Sequence, residues 1–505
     1  TGKNFTEVLE DILGNISNED MASGKIIEIN TLIGSICESL NVEAYLVGGF
    51  TRDCIIGSNI NDIDIVVSNK PKEVAEIIST KLSGTFFLIN SDHAIYRINI
   101  KLESLILNID IGLFEKSIYD DLSNRDFTIN AIAVKLDSKF RNVEVDNVID
   151  PYHGVNDINT KVIKTVSDHG FQNDPLRLLR CIRLYGELNF EIAEQTMELL
   201  KSNVDKINDV SGERIRDEVF KILSLPNTQE CFNVFDEVGL LCEIMQELGK
   251  TRGVIQPKEH NWDVFNHSIN SAVMAGKILE SSSELGFVGT NVPEFPGMDM
   301  YFKEKISDGQ TRLTFLKFTA LLHDIGKAKT RTEDSSGKIR FLTHSEVGSR
   351  IANDIMSRLR ISNKGISIVK TMIENHLRPA QMSQSGELPT DKAIYRYFRD
   401  VGDVAIDTLY LDLADYLGMR GPELTEKEWQ EHCARTDYII KRESLIQKRQ
   451  QEDLVLLNGN EIMENFDLSS GPKIGTLIAK IKEAQAMGHI KSKDEALKFI
   501  ESDIS

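Results

Sequence analysis

Asp62 and Asp64 are separated by one apolar residue in the run Asp62-Ile-Asp64-Ile-Val-Val. In an extended chain the side-chain period is two, so both carboxylates share a face while Ile63 and Ile65 turn to a core. Two acceptor-only groups held side by side repel unless a cation lies between them. Hard oxygen ligands of this kind suit Mg²⁺ bridging to a substrate phosphate. A third acid, Asp110, closes another apolar run, Leu105-Ile-Leu-Asn-Ile-Asp110. Such a triad would serve metal-assisted phosphoryl transfer, with Asp110 as base for an attacking hydroxyl. Upstream, Leu46-Val-Gly-Gly-Phe-Thr-Arg-Asp53 leaves a strand through Gly48 and Gly49. Backbone N–H groups there, a helix N-terminus and Arg52 can approach phosphate closely. A glycine pair alone is usually a turn, and a lone Asp-x-Asp a solvated strand edge. Their order and shared apolar context make the combination specific.

Two further sets carry chemistry. Asp174, Arg177, Arg180 and Arg183 recur every three residues, which reads as a helix over 174–184 with Pro175 in its first turn. A carboxylate only accepts and a guanidinium only donates, so an Asp–Arg pair answers the amine donor and ring-nitrogen acceptor common to cytosine and adenine. Guanine and uracil place a carbonyl where the amine should be. For the arginines alone, a solvated basic face is the simpler account. The other set is His267, His323, Asp324, His344, His376 and Asp415, donors suited to a divalent transition metal or Mg²⁺. A single His-Asp pair at a helix end is ordinarily a cap; only the spread set argues for metal.

Short strand-like runs at Ala44–Val47, Ile63–Val67, Thr85–Ile89, Ile95–Ile100 and Leu105–Ile111 must position the acids, with a helix around Lys72–Leu82 between them. Residues 1–40 read as helical. From Asn173 onward the pattern stays helical, broken by a Gly- and Pro-bearing insertion at 282–311 and a shorter break at 380–391. The chain of 505 residues is long enough for several domains, and at 41% hydrophobic it can build their cores. Its net charge of −20 excludes indiscriminate polyanion binding over the whole surface. It leaves room for a local basic track, with Lys480, Lys482, Lys491 and Lys493 available for RNA. Six cysteines without a CxxC pair predict buried, reduced thiols. With no apolar run of membrane-spanning length and no export signal in TGKNFTEVLEDILGN, no membrane association and a cytoplasmic location are expected.

The run LVGGFTRD…NDIDIVV resembles the nucleotidyltransferase signature of the tRNA CCA-adding and bacterial poly(A) polymerase family (class II). Asn124-Arg-Asp-Phe-Thr-Ile-Asn-Ala131, Asp150-Pro-Tyr-His-Gly154 with Asp157, Asn173–Arg180 and Gly212-Glu-Arg-Ile-Arg216 resemble later blocks of the same family in order. The spread His and Asp set resembles the HD phosphohydrolase superfamily. The resemblance implies an α+β fold: a small-sheet head over 1–160, an all-α neck over 161–235, an HD domain over 236–440 and a helical RNA-binding region over 441–505. It implies addition or repair of the tRNA 3′-terminal CCA from CTP and ATP, with tRNA as partner. Asp62, Asp64 and Asp110 would be catalytic; Gly48, Gly49, Arg52, Arg125, Asp174, Arg177, Arg180 and Arg183 would bind nucleotide. Mg²⁺ is expected on Asp62 and Asp64, and Mg²⁺, Mn²⁺ or Ni²⁺ in the HD domain. Asn173 replaces the family's usual Glu. Only fourteen residues separate Asp110 from Arg125, where many CCA-adding members carry a longer basic loop, so a CC-only programme is one expectation. The rivals are a poly(A) polymerase or A-adding enzyme of this family, and an HD phosphohydrolase with a nucleotide-sensing head.

Overall fold

Period-two apolar runs become the strands of a seven-stranded sheet in the first of two units, Thr1–Asp209 and Val210–Ser505. The structure, a computed structural model, describes residues 18–58, 62–90, 94–102, 105–140, 143, 148–226, 228–257, 260–280, 282–382, 387–452 and 456–504. The beginning of the helical stretch expected over 1–40, and part of the break at 380–391, lie outside these.

In the first unit, helix α1 (Asn18–Ser39) precedes β1 (Ala44–Val47), α2 (Gly48–Ile56), β2 (Asp62–Val67), α3 (Pro71–Lys81) and β3 (Thr85–Asn90). Then follow β4 (Ile95–Leu102), β5 (Leu105–Leu113), α4 (Ile118–Ser123), β6 (Ala133–Lys135), β7 (Val148–Ile149) and α5 (Gly154–Asn159). The sheet order is β3-β4-β5-β2-β1-β6-β7, with β2 and β5 parallel and the other pairs antiparallel. Alternation sorts its two faces. Ile63, Ile65, Ile98, Ile100, Leu107 and Ile109 are buried in one core with Val74, Ala75 and Ile78 of α3 and Ile33 of α1. The acids take the opposite face. Asp150 accepts from the backbone N–H groups of Gly154 and Val155 at 2.7 and 2.9 Å, and Asp157 accepts from Thr128 at 2.6 Å, which ties the later blocks together.

Helix α6 spans Arg177–Leu188, so it begins three residues later than the spacing predicts. The cause is local. A residue before proline is pushed out of the α region, and Asp174 has φ −142° and ψ 95°. Asp174 therefore sits on extended backbone at a joint, and Arg177 is the first helical residue beyond it.

The second unit is mainly helical. It contains α7 (Gly212–Leu223), α8 (Val264–Glu280), α9 (Arg312–Leu322), α10 (His344–Arg358), α11 (Asn363–Asn375), α12 (Ala405–Arg420) and α13 (Glu426–Glu452). Short strand pairs at 305–311 and 331–341 interrupt the helical pattern. The 282–311 insertion holds short helices and packs on the helical body. Phe302 meets Tyr410 edge-on at 4.9 Å, Tyr301 donates to Asp407 at 2.6 Å, and Trp429 donates to the Val288 carbonyl at 2.7 Å. Helices α14 (Gly459–Phe466), α15 (Pro472–Ala486) and α16 (Lys493–Ile504) gather their own core around Leu457, Ile462, Leu477, Ile481, Ala496 and Ile500. No helix among the described residues is long and apolar enough to cross a membrane. All six cysteines are free thiols, with Cys37, Cys181, Cys231 and Cys433 buried.

Candidate active site and candidate metal centre

Strand pairing brings the three acids of the first unit into neighbouring positions. Asp64 on β2 lies beside Asp110 on β5 in parallel register, and Asp62 lies beside Asn108. The carboxylates do not converge on one point. Asp62 accepts from the Asn108 amide at 2.8 Å. Asp110 is gripped by Arg97, directly opposite on β4, through Nε–H to Oδ1 at 2.8 Å and Nη2–H to Oδ2 at 2.7 Å. Asp64 is the most enclosed. Burial pushes its carboxyl up to about 6, opposed by Arg125 and reinforced by Asp110 and Asp62. An oxygen-only donor set that raises the proton affinity of its buried member, Asp64, fits a hard divalent cation, which would replace the proton.

Gly48 has φ +69°, a conformation costly to any residue with a Cβ. A Cβ there would stand 2.9 Å from Arg125 Nη1 and 3.0 Å from Asp64 Oδ2. The first turn of α2 thus passes over the Asp64 carboxylate with no side chain between. Gly49 is less constrained, its Cβ position lying 3.6 Å from Arg52 Nη2. Arg52 is buried, donating to Asn130 Oδ1 and Asp53 Oδ1, both at 2.8 Å.

The arginines expected to bind nucleotide divide by partner. Arg125 donates to Asp121 at 2.9 Å while lying against Gly48 and Asp64. Arg177 donates to the carbonyls of Asn124 and Arg125 at 2.5 and 3.2 Å, which places the Asp174–Arg177 joint beside Arg125. Arg180 grips the buried Asp126 at 2.8 and 2.6 Å, and Arg183 pairs with Glu187 at 2.7 Å. Burial alone would raise Asp126, yet Arg180, Asn130 and the Phe127 N–H hold it well below the carboxylate range. Asp126 and Arg97 escaped the sequence reading. Asp126 stood in a recognised block without an assigned task, and Arg97 acquires its partner only through strand register.

In the second unit, all six predicted ligands assemble. His267, His323, Asp324 and Asp415 form one potential metal group, and Asp324, His344 and His376 a second sharing Asp324. Helix ends set the ring orientations. His323 and His376 follow the last residues of α9 and α11, and their Nδ1 atoms lie 2.8 and 2.6 Å from the carbonyls of Ala320 and Ile373. His344 does the same with Phe341 at 2.7 Å. A neutral ring donating through Nδ1 presents a lone pair at Nε2. Yet Nε2 of His267 faces Nε2 of His323 at 3.2 Å, and Nε2 of His344 faces that of His376 at 3.2 Å. In the His344–His376 pair, where both rings are tied through Nδ1, the facing lone pairs repel without a cation. Among the described residues the buried His267 Nδ1 and Asp324 Oδ1 have no hydrogen-bond partner. This donor set fits a divalent metal. Without one, a proton takes its place on His323: burial opposes protonation, but Asp324 and Asp415 outweigh it and raise His323 to about 10, while burial lowers His376 to about 4. Asp415 is the partly exposed ligand. Gly326 lets this turn reach α10, since a Cβ would meet the His344 carbonyl oxygen at 2.1 Å. Lys327, 2.5 Å from Asp324, and His260, packed on His267, join the cluster. Lys327 has a signal in the sequence, three residues after Asp324 in the run His323-Asp-Ile-Gly-Lys327; His260 has none.

Among the lysines expected to meet RNA, Lys493 is paired with Glu461.

Comparisons with known proteins match separate stretches of the chain. Residues 44–164 match the poly A polymerase head domain, 189–250 the probable RNA- and SrmB-binding site of polymerase A, and 264–420 the HD domain. An A-adding tRNA nucleotidyltransferase of Deinococcus radiodurans is 26% identical, with 91% of this chain aligned to 95% of that protein. A CC-adding tRNA nucleotidyltransferase of Thermus thermophilus is 28% identical over 91% of this chain and 93% of its own. A solved CCA-adding enzyme with ATP shares the fold at a TM-score of 0.62 and 21% identity, covering 100% of this chain and 99% of that one.

Proposed function

We propose, from the premise that the chain belongs to the class II tRNA nucleotidyltransferases that carry an HD domain, that it builds or repairs the 3′-terminal CCA of tRNA. The tRNA 3′-oxygen attacks the α-phosphorus of CTP or ATP, the α–β phosphoanhydride bond breaks, and pyrophosphate leaves. The observation that carries this reading is the row of Asp64 and Asp110 in register, with Asp62 beside it, under the glycine turn at Gly48.

Asp62 and Asp64 would hold Mg²⁺, which supplies Lewis-acid stabilisation of charge on the phosphate oxygens. Asp110, its carboxylate plane fixed by Arg97, keeps lone pairs for the acceptor hydroxyl and receives its proton. The Gly48 and Gly49 N–H groups, Arg52 and Arg125 bind the triphosphate. Asp174 and Arg177 read the base edge and accept cytosine or adenine. Arg180 and Arg183, anchored by Asp126 and Glu187, complete the cationic rim and fix α6. In the four-part division expected from the sequence, this is a head and neck function. The HD domain holds a divalent ion, Mg²⁺, Mn²⁺ or Ni²⁺, and its converging Nε2 atoms support a separate phosphohydrolase capacity. A tRNA substrate and free thiols support a cytoplasmic location.

Within this chemistry we favour addition of CC. Between Asp110 and Arg125 the short segment is tied down: Ser117 caps α4 at the Asp120 N–H, and Asp121 pairs with Arg125. That leaves little chain to rearrange for a switch to adenine. The aligned A-adding and CC-adding relatives each perform one part of the programme by name. Offering tRNA ending before CCA, after C or after CC, with CTP or ATP, tests the reading at single-nucleotide resolution. Two C additions and no A are expected; A addition without C addition replaces this programme with the A-adding one, and all three additions replace it with full CCA addition.

A further inference from the structure

We propose that the outer edge of the head sheet seats the last nucleotide of the RNA acceptor, with Phe87 as its stacking platform and Arg97 as the residue that aims Asp110; this rests on the transferase reading above. Register places these groups in one line. Phe87 on β3 is opposite Arg97 on β4, Arg97 is opposite Asp110 on β5, and Asp110 is beside Asp64 on β2. Cross-strand partners share a face, so all four belong to the face that carries the acids.

Direction follows from the displacement itself. The groups suited to nucleotide phosphate, Gly48 and Arg125, lie against Asp64 from the β1 and α2 side. In-line displacement needs the attacking oxygen opposite the leaving pyrophosphate. The acceptor must therefore approach over β5, β4 and β3. Adjacent strands lie about 4.8 Å apart, so Arg97 and Phe87 stand roughly 5 and 10 Å from Asp110. That is the span of one nucleoside, from a 3′-oxygen at Asp110 to its base over the sheet edge.

What stands there suits a base. Phe87 is 48% exposed on the outermost strand, with Ile89 exposed beside it, where apolar side chains are otherwise a liability. Arg97 spends its Nε and Nη2 donors on Asp110 while over a third of its side chain stays open. A guanidinium plane and an aromatic ring both stack on bases. Stacking tolerates any base because each has a π face. An acceptor whose terminal nucleotide changes at every addition requires that tolerance.

The experiment uses the full chain, a tRNA transcript lacking CCA and the nucleotide the wild type incorporates. Phe87→Ala is expected to raise KM for the transcript about 5- to 150-fold, the range of one lost base stack. KM for the nucleotide and the thermal midpoint stay at wild-type values, and Phe87→Trp restores acceptor binding. Arg97→Ala is expected to lower kcat without raising nucleotide KM, and to cost nothing further in an Asp110→Ala background. Acceptor KM within twofold of wild type in Phe87→Ala overturns the stacking platform. Equal rises in both KM values overturn it too, and additive Arg97 and Asp110 losses overturn the aiming role. A wild-type chain that incorporates nothing removes the transferase reading and this subsite together. Normal incorporation with unaffected variants removes the subsite alone.

Discussion

Gly48→Ala is expected to damage catalysis far more than folding, and the structure supplies both magnitudes. At φ +69° an alanine costs about 1–2 kcal/mol relative to glycine. For a unit of this size that lowers the thermal midpoint by about 2–8 °C. The new methyl would stand 2.9 Å from Arg125 Nη1 and 3.0 Å from Asp64 Oδ2, against an ordinary contact near 3.5 Å. Both contacts are side-chain tips, so they yield by roughly half an ångström instead of breaking the fold. The tip that yields is the carboxylate assigned to metal and phosphate, and a misplacement approaching 1 Å costs on the order of 100-fold in rate. Gly49→Ala provides the control. It meets Arg52 and Asp64 at 3.6 and 3.9 Å, ordinary contacts, and is expected to leave the thermal midpoint unchanged while weakening triphosphate binding. Thermal unfolding with steady-state kinetics separates the two. Gly48→Ala with wild-type kcat, or unfolded at room temperature, would refute the reasoning.

Removing Arg180 leaves Asp126 charged and buried, so Arg180→Ala should destabilise the first unit by about 3–5 kcal/mol in urea titrations. Because Asp126 is held below its unfolded value, its contribution is complete above about pH 4–5 and fades as acid titrates it through the folded value. Wild type should thus lose more stability than Arg180→Ala between pH 5 and 3. In the second unit, Mn²⁺ at 100 times its Kd should stabilise by about 2.7 kcal/mol, a shift His323→Ala abolishes in calorimetry while nucleotide incorporation continues. Binding should release a proton, since metal displaces the one that Asp324 and Asp415 hold on His323. Asp174→Ala should admit UTP and GTP and narrow the preference for CTP at least tenfold, measured as kcat/KM ratios; an unchanged ratio would remove Asp174 from base selection.

Local alternation carried most of the fold. Ala44–Val47 agrees with the observed strand, and the other four runs agree within one or two residues, because Ile and Val at period two admit little besides a half-buried strand. The helix at 174 failed because proline acts on its predecessor, holding Asp174 extended. The 282–311 insertion read as loop because its contacts, Tyr301 to Asp407 and Trp429 to Val288, are made with residues over a hundred positions away. The same limit governed the sites. Asp62, Asp64 and the HD ligands were legible from residue type and order. The Arg97–Asp110 fork depends on which strands lie side by side, and the histidine tautomers depend on carbonyls left free at helix ends. Average charge excluded only indiscriminate polyanion binding, since a net charge of −20 coexists with arginines placed beside Asp64 and Asp174.

The most direct measurement of the central claim is nucleotide incorporation into tRNA truncated before CCA, after C and after CC, comparing wild type with Asp64→Ala. The account predicts stepwise extension of at least one of these ends by the wild type, with CTP preferred, and none by Asp64→Ala. Extension that survives Asp64→Ala, or no extension of any end by the wild type, would contradict it.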